Sequence, residues 1–318
     1  MSSSGEYGVA PRLTVVGSLN TDLVIRAPKL PETGETVTGG EFSIFPGGKG
    51  ANQAVAAARL GAEVTMVGCV GGDDFGRRLV DGLKAEGIDA VHVRVDPDVV
   101  SGVAFITVDS AARNTIVVAS GANARVSVYD VDAARDAIGA SQVLLLQLEV
   151  PVEVVAHAAA QARRSGCRVI LDPAPAHPLP DDLYPNLDVI NPNEVEAKLL
   201  TGISIDDPQA AGRAADQLVS RGCKVVVIKM GARGAFLAGG GAREMVPAIP
   251  VDAVDSTAAG DAFAGALAVA LAEGKSLEPA VRFANATAAI SVTRMGAQPS
   301  MPRRDEVVAF ARAHGVGF

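Results

Sequence analysis

The sequence predicts an α/β fold: a doubly wound, mostly parallel sheet with helices on both faces, plus a small projecting β-sheet. Two observations carry this. Continuous β-rich runs at Val143–Leu148, Val169–Leu171, Val189–Ile190 and Val225–Ile228 alternate with helical segments, the pattern of strands buried on both faces of a parallel sheet. Two further β-rich stretches, at 18–46 and about 90–118, break that rhythm and read as strands of one small inserted sheet. At 318 residues, 48% hydrophobic and 20% charged, the chain is read as a single domain over 12–318. Residues 1–11 are expected to be disordered.

The elements follow in order. Leu13–Gly17 reads as a short buried strand. Pro28, Pro31, Gly34, Gly39 and Gly40 punctuate the next stretch into short strands and turns. Residues 51–60 are strong helix formers stopped by Gly61, Val64–Val67 is a strand, and Phe75–Glu86 is a helix closed by Gly87. Val103–Val108 and Thr115–Val118 flank a turn-like segment at 109–114, and Gly239–Gly241 reads as a hairpin turn. In such a sheet, ligands bind beyond the carboxyl ends of the strands.

Composition excludes several classes. A formal net charge of −8 argues against a nucleic-acid partner. The apolar run Ala262–Ala272 is too short to span a bilayer, and residues 1–10 lack the pattern of a signal peptide, so a cytoplasmic location is expected. Cys69, Cys167 and Cys223 are far apart and read as buried thiols. His92, His157, His177 and His314 show no metal spacing and are assigned to surface or packing. P-loop, dinucleotide-binding and serine-hydrolase motifs are absent.

Three segments point to chemistry. Val254–Phe263 places small residues and a glycine at the start of an Ala-rich helix, where the amides of Ala258, Ala259 and Gly260 can converge on an anion. A carboxylate there, Asp261, suits a base that removes a proton from an attacking hydroxyl. It would equally suit a helix cap, and the motif alone supports either reading. Pro46–Gln53 again opens onto a helix, with Gly47, Gly48 and Gly50 admitting close approach and Lys49 and Asn52 supplying donors. Asn20 and Asp22, two apart on an extended segment, point the same way and can grip two hydroxyls, or form an Asx-type turn.

Taken together, these stretches resemble the PfkB family of carbohydrate kinases, in its ribokinase branch. Gly47, Gly48, Gly50, Asn52, Ala54, Gly61 and Gly71 match the first family signature, and Asp255-Ser-Thr-Ala-Ala-Gly-Asp261 matches the second. The similarity runs from residue 12 to about 312, through Leu146–Glu149, Asp172–Ala176, Asn191–Glu194 and Thr293–Ser300.

The resemblance implies a ribokinase-like fold whose small sheet is a lid, and ATP-dependent phosphorylation of D-ribose at its 5-hydroxyl with Asp261 as base. Asn20, Asp22, Gly48, Lys49, Asn52 and Glu149 would hold the sugar. Asn193, Lys229, Gly231, Gly234, Gly260 and Asn285 would line the ATP site, and Glu196 would serve the Mg2+ shell. Read without the resemblance, Glu196 is a solvated helix face. Asp255, Thr257, Ser291, Arg294, Gly296 and Ser300 would surround a monovalent cation, K+, several through backbone carbonyls; for the two serines, loop hydrogen bonding is the plainer reading. A homodimer through the lid is implied as well. At Lys229 the ribokinase branch carries a small polar residue, Asn285 often corresponds to a His, and Asp172 stands where Asn is common. A kinase for deoxyribose, fructose or a nucleoside is the alternative within the class. A non-catalytic sensor would be expected to have lost Asp261.

Overall fold

The computed structural model describes residues 10–111 and 113–318, so the disorder expected for the first nine residues lies outside it. Ala10 and Pro11, assigned to the disordered start, belong to the described chain; the Pro11 carbonyl accepts from Glu63 N at 2.9 Å.

In chain order, β1 (Arg12–Val16) opens the body, and β2 (Asn20–Arg26) and β3 (Phe42–Gly47) leave it. The chain returns through α1 (Lys49–Arg59), β4 (Glu63–Gly71), α2 (Asp74–Ala85) and β5 (Asp89–Asp96), then leaves again as β6 (Gly102–Val108) and β7 (Asn114–Ala119). The second half is regular. It runs α3 (Val128–Ala133), α4 (Arg135–Ala140), β8 (Val143–Leu146), α5 (Val152–Ser165), β9 (Arg168–Leu171), β10 (Val189–Ile190), α6 (Glu194–Thr201) and α7 (Pro208–Ser220). β11 (Val225–Lys229) and the hairpin of β12 (Ala235–Gly239) and β13 (Ala242–Val246) follow. Then come α8 (Ala259–Ala272), α9 (Leu277–Ser291) and α10 (Arg304–Ala313).

The nine-stranded sheet has the order β13-β12-β11-β10-β9-β8-β1-β4-β5 and is parallel except for its terminal hairpin. Chain direction across the sheet reverses at β1, which lies between β8 and β4. α1, α8 and α9 cover one face and α5 and α7 the other, giving two apolar cores. α8 is buried from Asp261 to Leu271 because it lies between the sheet, α1 and α9, which explains its nearly all-apolar sequence. A Cβ on Gly265 would come 2.8 Å from the Ala56 Cβ. Small residues thus let α1 and α8 cross closely and bring their N-terminal ends together.

β3-β2-β6-β7 form a separate four-stranded sheet. Its second half begins only at Gly102: β5, assigned above to the inserted sheet, is the edge strand of the main one, paired in parallel with β4. Val91, Val93 and Val95 alternate with His92, Arg94 and Asp96, which reads as a half-exposed strand, and an edge strand is that as much as a lid strand. All three cysteines are buried and free, and among the described residues no helix is long and apolar enough to cross a membrane.

Candidate active site

The site forms where the carboxyl ends of β1, β8, β9 and β11 meet the N-termini of α1 and α8. Gly48 caps α1 with φ +88, and a Cβ there would strike the Asn20 amide nitrogen at 2.6 Å. Only glycine allows the α1 turn to approach β2 so closely.

Glu149, after β8, anchors this junction. Its Oε2 accepts from Ser18 Oγ at 2.5 Å, the Lys49 amide at 3.1 Å and Asn20 Nδ2 at 3.5 Å. The other oxygen, Oε1, makes no hydrogen bond among the described residues. Asn123 clasps the Leu19 backbone through both ends of its amide and donates to Asn20 Oδ1 at 2.7 Å, which fixes which way Asn20 faces. A cavity of about 280 Å³ opens here, lined by Asn20, Val118, Asn123, Leu148, Glu149 and His177. His177 is exposed, at the surface as expected, and borders this cavity.

Asp261, 4% exposed, lies in the first turn of α8. Asn52 Nδ2 donates to its Oδ2 at 2.9 Å and Gln53 Nε2 to its Oδ1 at 3.0 Å. Burial pushes the Asp261 carboxyl above its ordinary pKa, with Asp172 adding to the rise while Lys49 and the two carboxamides oppose it. A buried carboxylate with a raised pKa is a stronger base than a free one. Burial works against the charge on Lys49, but Asp261, Glu149, Asp172 and Glu196 outweigh it and hold its pKa above the usual lysine value. Asn52 Oδ1 is buried without a partner among the described residues, an acceptor suited to a ligand hydroxyl.

Ahead of α8, Ala258 adopts the left-handed region at φ 59, the one described non-glycine residue to do so. Such strain is retained where the surroundings enforce it, and it clusters at functional sites. Of the three amides expected to meet an anion, that of Ala259 turns back to the Ser256 carbonyl at 3.2 Å. Those of Ala258 and Gly260 have no partner among the described residues. Lys229 Nζ would lie 3.4 Å from a Cβ on Gly260, so it overlooks the same spot.

The remaining predicted residues are arranged around this centre. Asn193 and Glu196 form a capping box on α6, Glu196 accepting from the Asn193 amide at 2.7 Å and from Asn193 Nδ2 at 2.8 Å. Glu196 is buried, against the solvated helix face that its sequence alone suggests. Gly231 and Gly234 bound a short helical turn after β11. Asn285 donates to the carbonyls of Val246 and Pro247, both at 3.1 Å, and so ties down the loop after β13. Asp255 accepts from the amides of Thr257 at 2.9 Å and Gly296 at 2.8 Å, joining the loops before α8 and after α9. Ser291 and Ser300 meet through their hydroxyls at 2.8 Å. The Arg294 guanidinium pairs with Glu306, which leaves only its backbone carbonyl for a cation.

Sequence reasoning missed Gln53, Gln147, Asp172 as a site residue, and Asn123. Residues 10–304 match the model of the pfkB family carbohydrate kinases. The chain belongs to the pfkB family of carbohydrate kinases. Within the family it is 45% identical to a ribokinase of Haemophilus influenzae, over 94% of this chain and 97% of that one. It is 39% identical to a deoxyribokinase of Salmonella typhi, over 91% and 95%. An Arabidopsis thaliana ribokinase solved with ribose and ATP superposes with a TM-score of 0.88 at 34% identity, covering 95% and 99%. This pfkB kinase therefore shares its fold over nearly its whole length with an enzyme of that kind.

Proposed function

We propose that this kinase transfers the γ-phosphoryl group of ATP to the 5-hydroxyl of D-ribose, giving ribose 5-phosphate and ADP. The observation that carries the reading is Asp261: a buried carboxylate fixed by Asn52 and Gln53, one residue from the open Gly260 amide. Asn20, Asp22, Lys49, Asn52 and Glu149 hold the sugar with its primary hydroxyl toward Asp261. As the new oxygen–phosphorus bond forms, the hydroxyl proton passes to Asp261 and the bond to the β-phosphate oxygen breaks, the electron pair leaving with ADP. The amides of Ala258 and Gly260, with Lys229, meet the charge that builds on the moving phosphoryl group. Asn193, Gly231, Gly234 and Asn285 line the nucleotide.

The donor sets suit two cations. Both oxygens of buried Glu196 accept from Asn193, a preset arrangement for a Mg2+ shell reached through water. Asp255, with the Thr257, Ser291, Arg294, Gly296 and Ser300 segments, offers one carboxylate and neutral oxygens, as K+ prefers. When bound, Mg2+ supplies charge neutralisation at the phosphates and K+ helps hold the loop that shapes the anion hole. The small sheet serves as the lid, excluding water from the transfer. The enzyme is cytoplasmic and a homodimer through that lid.

The test is ADP release over a panel of sugars, with and without K+. Ribose should give the highest kcat/KM, K+ should raise it, and Asp261→Asn should lose on the order of 10³-fold in kcat. Deoxyribose or a nucleoside outrunning ribose would replace the substrate and keep the mechanism. Full activity in the Asp261→Asn variant would remove its role as base.

A further inference from the structure

Beneath the catalytic carboxylate lies a row of buried polar side chains with no assigned role. Strand register sets Gln147, Asp172 and Asn191 side by side just beyond β8, β9 and β10, on the face covered by α1 and α8. Two residues earlier the same rows hold Leu145, Ile170 and Val189, ordinary core. Polar groups so deep cost free energy unless they are paired.

Gln53 of α1 draws Gln147 and Asp172 together, while the Asn191 amide stays without a partner among the described residues. Its Oε1 accepts from Gln147 Nε2 at 2.6 Å, which fixes the orientation of its amide. Its Nε2 donates both to Asp261 Oδ1 at 3.0 Å and to Asp172 Oδ2 at 2.9 Å. Two acceptors of one amide nitrogen stand only about 5 Å apart, so two carboxylates share a single neutral donor in a buried place. Like charges that close disfavour one another's ionised form. The compensating charge comes from Lys229, whose Nζ reaches Asp172 Oδ1 at 2.6 Å with both side chains largely buried.

We propose that Gln53, Asp172 and Lys229 are positioning residues for Asp261: Lys229 neutralises Asp172, and Asp172 in turn holds the Gln53 amide that keeps the Asp261 carboxylate ionised and aimed. The inference rests on Asp261 being the base, and it goes beyond Lys229 as a nucleotide contact. The two roles predict different behaviour when Asp172 is also changed.

The experiment compares Asp172→Asn, Lys229→Met and the double variant with the parent enzyme. It measures kcat/KM for ribose from about pH 5.5 to about pH 9, with KM for ATP and thermal melting alongside. Lys49 of α1, Asp22 of β2, Glu149 after β8 and Glu196 of α6 also face the centre and stay constant, so only the charge of the pair varies. In Lys229→Met, Asp172 is left uncompensated beside Asp261. The acid limb should move up by about one pH unit, with a loss of about tenfold near neutrality. Adding Asp172→Asn should return the limb to its original place and recover most of that loss, while any rise in KM for ATP persists. Asp172→Asn alone keeps an acceptor for Gln53, and its limb should move down. That arm decides the question if Lys229→Met fails to fold.

An unmoved acid limb in all three variants, or a double variant no better than Lys229→Met, overturns the proposal and leaves Lys229 a nucleotide contact only. Changed melting temperatures with unmoved limbs would reduce the pair to a structural one. An active Asp261→Asn enzyme would instead indict the assignment of the base.

Discussion

Asp22 shows how the site sets one residue against another. Burial pushes its carboxyl up to about 7, with the nearby charges of Glu149 and Asp261 adding to the rise and Lys49 opposing it. Its folded pKa exceeds its unfolded value, so the stability it contributes is fully present at low pH and is lost as pH rises through about 7. Asp22→Asn should therefore be more stable than the parent, by a margin that widens between about pH 4 and about pH 7 and reaches on the order of 3 kcal/mol. Urea unfolding of both proteins at three pH values measures this, and a margin independent of pH would contradict it. The same variant should bind ribose more weakly. Asn20, Asp22, Lys49 and Asp261 were legible in the sequence because each follows a strand or opens a helix and has a type suited to its place. Gln53, Asp172 and Asn123 were not. Their roles depend on partners about a hundred residues away, such as Asn123 on Leu19 and Gln53 on Asp172, and on a register that no local pattern encodes.

At the level of elements, the start of α8 combines a strained residue with an ionisable one. Ala258 holds φ 59 without the freedom of glycine, at a cost of about 1–2 kcal/mol. Replacing it with glycine relieves that strain but adds about 0.5–1 kcal/mol of unfolded-chain entropy to be lost on folding. Ala258→Gly should accordingly gain about 0.5–1 kcal/mol in denaturant unfolding; a loss would show that the Ala258 methyl contributes packing that outweighs its strain. The elements themselves were largely readable: the apolar runs fell on β8 to β11, and Gly61, Gly87 and the three-glycine turn ended elements as expected. β5 was assigned to the wrong sheet because its alternating exposure fits an edge position in either one.

For the whole molecule, the exposed face of the small sheet is where the proposed assembly can be tested. Cross-strand register aligns Ile44, Leu23, Phe105 and Val117 on the face opposite Asp22, with Phe42 and Ile25 beside them. Phe105 is 55% and Val117 69% exposed. An apolar row of this extent on an open sheet calls for a covering partner. The homodimer proposed above should appear in light scattering at micromolar concentration, and Phe105→Lys should shift it to monomer. A parent protein that scatters as a monomer would remove the lid from the interface. The doubly wound plan could be read from alternating apolar runs, but the reversal at β1 could not, since strand order is a property of long-range pairing.

That long-range pairing also has a cost in chain entropy. β8 to β13 lie in the sheet in the order the chain makes them, so each strand can add to the one before with little loop to close. The small sheet must instead join Asn20 to Gly102 across the whole of α1, β4, α2 and β5. That closure carries an entropy cost of its own, which grows only slowly with the length of chain between. The body asks for a longer closure still, since Leu13 pairs with Val143 and Asn52 reaches Asp261, so the floor of the site and its cover both rest on contacts that no short stretch of chain can make alone.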